Sequence, residues 1–136
     1  PGPRAAPAPG PGAKAPLELS ARRTEITLPP GVPSLGLTYI ALLDLFDTSG
    51  TKVGQASTSS FVVEVTTGGP IVLGFIVLQL EKGAIHYQRL IRRYGDYPRT
   101  TVGAITGGTG DYSSGSGHVE VSWPDAERVD LVVHLA

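Results

Sequence analysis

Serine, histidine and arginine are the residue types here that could attack, relay a proton or hold an anion, so their spacing comes first. Ser113, Ser114 and Ser116 lie in a glycine-rich turn, and no Gly-x-Ser-x-Gly sets a serine on a strained nucleophile elbow. A Ser-His-Asp triad is therefore not expected. His86, His118 and His134 fall in separate β-like runs without the paired spacing of metal ligands, so no metal is expected. Arg89, Arg92 and Arg93 cluster with Tyr94, Tyr97 and Arg99. That cluster reads either as a basic rim on a solvated loop or as a contact for an anion at a mouth. The run from Gly103 to Gly117 packs six glycines into fifteen residues. It lacks the Gly-Lys-Ser/Thr of a phosphate loop and fits no G-x-G-x-x-G pattern. The segment after it, Gly117-His-Val-Glu-Val-Ser-Trp123, is a strand rather than the helix that would hold a phosphate. No nucleotide or redox cofactor is expected, and the glycine run reads as a strand connection near a barrel mouth.

The elements that must position these residues follow a period of two from residue 17 onward. Eight β-segments are predicted: 17–28, 36–47, 52–65, 71–81, 84–94, 101–106, 117–123 and 127–135. Turn signals separate them, among them Pro29-Pro30-Gly31-Val32-Pro33, Thr48-Ser49-Gly50 and Lys82-Gly83. Short connections favour antiparallel neighbours, and eight such strands close into a small barrel with a filled or ligand-sized lumen. The expected fold is all-β, a single domain over residues 17–136. It is preceded by a Pro/Gly/Ala-rich arm over residues 1–16 that buries no core of its own. That arm is either a low-complexity tail or a cover folded over a pocket mouth. Segment 71–81 is apolar on both faces, exposing either Phe75 and Val77 or Ile76 and Leu78. Such an outer face needs a partner, so a homo-oligomer, dimer or trimer, is expected, with the arm as the alternative cover.

Composition sets the remaining bounds. A chain of 136 residues with 40% hydrophobic and 17% charged residues supports one soluble domain. A net charge of −1 offers nothing to nucleic acid or an anionic membrane. With no Cys, disulfides and thiolate sites are excluded. The longest apolar run is too short to span a bilayer, and no signal-peptide pattern is visible, so the default compartment is the cytoplasm.

Leu45-Phe46-Asp47-Thr48-Ser49-Gly50-Thr51-Lys52-Val53-Gly54 resembles the second hairpin of the allene oxide cyclase and dirigent barrels. Ala104-Ile105-Thr106-Gly107-Gly108-Thr109-Gly110-Asp111-Tyr112, followed by Gly115-Ser116-Gly117-His118-Val119, resembles their most recognisable motif. The likeness spans roughly residues 36–123 and implies a calycin-type eight-stranded antiparallel barrel. Plant allene oxide cyclases rely on Asn to position a water, and this chain has no Asn. Dirigent proteins are secreted and usually glycosylated, and the chain has no glycosylation sequon. Thr24-Glu25-Ile26 and Gly83-Ala84-Ile85-His86 are most similar to bacterial natural-product cyclases, including spirotetronate-forming Diels–Alderases.

The resemblance implies a cofactor-independent cyclase promoting intramolecular ring closure of an apolar, polyketide-like substrate. The alternative is a non-catalytic, dirigent-like or lipocalin-like barrel that binds and orients a hydrophobic small molecule. A third reading is a structural module whose lumen is filled by its own side chains. Strand parity under the resemblance turns Tyr39, Ala41 and Leu43 inward on the second strand, and Gly74, Ile76 and Leu78 on the fourth. It turns Ile85, Tyr87, Arg89 and Ile91 inward on the fifth, and Val119, Val121 and Trp123 on the seventh. Tyr39, Tyr87, Arg89 and Trp123 are the expected catalytic set, as aromatic walls and donors to a carbonyl. The others line the substrate, with Gly74 leaving it room. Inward aromatics are equally the ordinary stuff of a core. Glu25 is either the partner of a buried Arg89 or a solvated strand residue, and a β-bulge in these strands would invert the parity.

Overall fold

The computed structural model describes residues 15–28 and 31–136. Eight antiparallel strands follow in chain order: β1 Leu17–Thr27, β2 Thr38–Phe46, β3 Lys52–Val65, β4 Pro70–Leu80, β5 Gly83–Arg92, β6 Arg99–Gly108, β7 Gly117–Trp123 and β8 Arg128–Leu135. Each pairs with its chain neighbour, and β8 pairs with β1 through ladders such as Leu19–Leu131, so the sheet closes into a barrel. Closure leaves no unpaired edge. The only helical element among the described residues is one 3₁₀ turn, Gly110–Tyr112, and no helix there is long and apolar enough to cross a membrane. The arm proposed as a cover lies almost wholly outside the described residues.

Alternation along each strand fills the barrel in layers, because side chains two residues apart share a face. One layer joins Leu43, Ala56, Leu78 and Ile85 across β2–β5. The next joins Ala41, Thr58, Ile76 and Tyr87, and the one above it joins Tyr39, Ser60, Gly74 and Arg89. Leu45, Leu78, Ile85, Val119 and Val133 are completely buried and close one end. Each contributes about 1.5–3 kcal/mol relative to exposure.

Register shifts lie at Thr24 in β1, at Val53 and Val63 in β3, and at Thr106 in β6. None falls within β2, β4, β5 or β7. The parity read from sequence on those four strands therefore carries through the fold. On β4 it resolves the two-faced apolar run: Ile76 and Leu78 point inward, and Phe75 stands outside, 45% exposed.

The glycine run is part strand and part turn. Gly107 and Gly108 belong to β6 and pair with His86 and Ile85. Beyond them the chain folds onto the β4–β5 turn, with Thr109 N–H donating to the Ala84 carbonyl at 2.9 Å and Asp111 N–H to the Lys82 carbonyl at 2.9 Å. Gly110 sits at φ +60°, where a Cβ would come within 3.0 Å of Gly83 Cα. Both position and close approach therefore require glycine.

Candidate functional site

A cavity of about 60 Å³ opens inside the barrel. One water needs roughly 10–15 Å³, so the lumen is not filled by its own side chains. Its floor and walls include Ala41, Leu43, Ala56, Thr58, Ile76, Leu78, Tyr87 and Leu131. Its rim is formed by Arg23, Tyr39, Ser60, Arg93, Trp123, Ala126 and Glu127. These rim residues sit at the end of the barrel that carries the β1–β2, β3–β4, β5–β6 and β7–β8 connections. The glycine run connects β6 to β7 at the opposite end, and none of its residues lines the cavity. The expectation that it borders the mouth is corrected: antiparallel order alternates the connections between ends, and this one falls at the closed end. At the open end Asp125 shapes the rim, because its carboxylate accepts the Glu127 and Arg128 N–H groups at 2.8 and 2.9 Å. Those backbone bonds, the Glu127 one foremost, hold its carboxyl below the ordinary carboxylate range.

Every residue predicted inward is found facing inward. Of these, Tyr39, Ala41, Leu43, Ile76, Leu78, Tyr87, Arg89 and Trp123 line the cavity. Gly74, Ile85, Ile91, Val119 and Val121 are buried without reaching it. Gly74 does not leave room for substrate as expected; it leaves room for Arg89. A Cβ at Gly74 would lie 2.7 Å from the Arg89 Cζ. Gly103 on β6 performs the same service for the layer below, since a Cβ there would meet the Tyr87 ring at 2.8 Å. Two inward glycines thus flank β5 and admit its two large polar side chains.

Arg89 is 8% exposed, and its Nε and Nη1 have no hydrogen-bond partner. Its guanidinium lies over the Trp123 ring, 5.2 Å from the centroid. That cation–π contact is worth about 0.5–2 kcal/mol. Burying an unpaired charge costs several kcal/mol even after relaxation, so the desolvation dominates. Burial accordingly lowers the Arg89 pKa, with Tyr87 and Tyr39 opposing and Arg93 reinforcing the shift. A guanidinium nevertheless stays ionised at neutral pH. Burial also pushes the Tyr87 hydroxyl up to about 12, against the pull of Arg89. Tyr87 therefore stands in the lumen as a neutral donor. Glu25 is exposed beyond the β1 bulge, so of its two readings the solvated strand residue is the one realised.

The arginine cluster splits. Arg89 is inside and Arg93 is at the rim, whereas Arg92 is exposed. Arg99 donates to the Gly95 carbonyl at 2.9 Å and stacks on Tyr97. Sequence reasoning missed Thr58 and Ser60, 7% and 2% exposed. Ala56-Ser57-Thr58-Ser59-Ser60 is small or polar on both faces, so it carries no inside–outside contrast. The usable signal was the hairpin register that pairs Ser60 with Tyr39.

No family model matches this chain, and no curated protein matches it. Solved structures do. A pyocyanin demethylase superposes with a TM-score of 0.69 at 25% identity, over 88% of this chain and all of that one. AbnU, described as an exo-specific intermolecular Diels–Alderase, superposes with a TM-score of 0.66 at 15% identity, over 90% of this chain and 98% of that one. The barrel is thus one that known enzymes also use.

Outside the barrel, β7 and β8 bring together what the sequence kept apart. His118 pairs with His134 in register, and their rings stack at 4.5 Å with a 17° interplanar angle. His134 Nε2 lies 3.1 Å from a Glu120 carboxylate oxygen, and the potential ligand atoms of the three residues lie within 4.8 Å of one another. His118 and His134 lie on separate strands without paired spacing in the sequence, and cross-strand register supplies their proximity. Three such groups can offer a divalent ion two imidazoles and a carboxylate. They stand on the outer face and take no part in the lumen.

Proposed function

We propose that this chain is an enzyme that takes a hydrophobic, polyketide-like small molecule into the barrel lumen and promotes its intramolecular ring closure. We place it among the allene oxide cyclase and dirigent-like barrels, nearest their natural-product cyclases. One observation carries the reading: an apolar cavity holds a guanidinium with free N–H groups over an indole face, beside two tyrosines. Ring closure by cycloaddition needs no nucleophile and no net proton transfer, and the reading asks for no bound cofactor. Folding a linear substrate into near-attack geometry is worth on the order of 7–11 kcal/mol. A fixed donor at the carbonyl where charge accumulates adds to that. Arg89 is that donor, Tyr39 and Tyr87 assist it, and Trp123 forms the facing wall.

The test is turnover of linear diene–dienophile precursors by the purified protein. Ring closure accelerated above the buffer rate is expected, with Arg89→Met slower by about 10²–10³. No acceleration with any precursor sinks the reading. The demethylase likeness, 25% identical over that protein's full length, favours a second reading, demethylation of pyocyanin or a similar molecule, in which water and an added two-electron acceptor carry the methyl carbon to formaldehyde. Incubation with pyocyanin and such an acceptor, and analysis for the demethylated product, tests it.

We also propose that the barrel works as a homo-oligomer. Supporting this, Ile40, Phe61, Leu73, Phe75 and Leu90 share the outer face of β2–β5, and Phe61 and Phe75 meet edge to face at 5.9 Å. A second copy covers such a face most simply.

A further inference from the structure

We infer that the ligand of the lumen is an ionised organic acid, an apolar body whose carboxylate or equivalent two-oxygen anion pairs with Arg89. The inference rests on the reading of the lumen as a small-molecule site and adds the charge of what enters it.

The lumen holds a cation with nothing to balance it. The charged residues around the cavity are Arg23, Arg89 and Arg93 against Glu127. Glu127 is exposed at the rim, while Arg89 is sealed below it. The chain as a whole carries a net charge of −1, so this positive interior is not the reflection of a basic protein. Within the barrel the polarity is one-sided. Tyr39, Thr58, Ser60, Tyr87 and Arg89 all come from β2–β5, whereas β7, β8 and β1 contribute Trp123, Val129, Leu131, Ala21 and Ile26, with Arg23 of β1 the one polar exception, at the rim. A ligand with one anionic end and an apolar remainder matches both walls. A neutral apolar ligand would displace water from around Arg89 and leave its Nε and Nη1 unbonded, the costly arrangement. The fold maintains this charge by design of its backbone, since β4 gives up a side chain at Gly74 to make space for the guanidinium. A cation needed only for packing would be replaceable by an apolar side chain of the same length.

The chain's single tryptophan, Trp123, lies under Arg89 and reports on occupancy. Tryptophan emission is therefore titrated at neutral pH with linear fatty acids from hexanoate to dodecanoate, and with the methyl ester of each. Expected is tighter binding of the acid than of its ester by at least about tenfold. In Arg89→Met, or in Arg89→Gln should the first not fold, acid and ester bind alike. Equal binding of acid and ester to the native protein overturns the inference and leaves the lumen reading standing. An acid preference that survives the loss of Arg89 overturns the assignment to that residue. Failure of every acid and every ester to bind overturns both.

Discussion

Tyr87 and Arg89 sit two residues apart on one strand and share one low-dielectric space, where burial shifts both and each opposes the other's shift. Burial lifts the Tyr87 hydroxyl from its ordinary 10.0 to about 12. Between these values the folded protein keeps a proton that the unfolded chain releases. The stability linked to Tyr87 is therefore complete below about pH 10 and is lost as pH rises through about 12. Urea unfolding followed from pH 9 to 12 is expected to show this decline, and Tyr87→Phe is expected to flatten it. An undiminished decline in Tyr87→Phe would move the effect to other groups. The direction matters for chemistry as well, because a neutral phenol donates a hydrogen bond to a carbonyl throughout the physiological range.

At the scale of elements, β4 and β5 form one functional unit through the register pair Gly74–Arg89. A methyl group at residue 74 would press on the Arg89 guanidinium, 2.7 Å from Cζ. Gly74→Ala should cost about 1–3 kcal/mol, the usual range for overpacking. Arg89→Met removes a buried charge without a partner and should leave the protein at least as stable, by up to about 4 kcal/mol. In the Arg89→Met background the flexible thioether yields to the added methyl, so Gly74→Ala should cost little. Denaturant midpoints of the two single variants and the double variant measure this coupling; additive costs would mean that Gly74 serves the strand and not the arginine. Much of this was legible in the sequence. β5 and β7 alternate clearly and β2, β4, β5 and β7 carry no bulge, so strand parity read under the resemblance turned Tyr39, Tyr87, Arg89 and Trp123 inward. β3 was opaque because Thr58 and Ser60 are flanked by serines, and polarity cannot distinguish two faces that are both polar.

For the whole molecule, closure of the barrel settles the inner faces and leaves the outer ones to be covered. Phe75 is 45% and Leu90 53% exposed, on adjacent strands. If a second copy covers them, Phe75→Glu places a charge in that contact and should reduce the assembly to monomers, seen as a smaller sedimentation coefficient. A native protein that sediments as a monomer at all concentrations removes the oligomer proposal.

The sequence by itself determined the local and periodic facts: eight strands, the alternating faces of β5 and β7, and the absence of any thiolate, triad or nucleotide motif. It did so because a period of two is written residue by residue. Only the tertiary structure decided which end is open and that the glycine run lies at the other. The same is true of Gly74 yielding its space to an arginine with no partner, and of His118 meeting His134 beside Glu120. Those facts depend on which atoms of separate strands come within a few ångströms, and that is fixed by register and closure, not by the chain's local pattern.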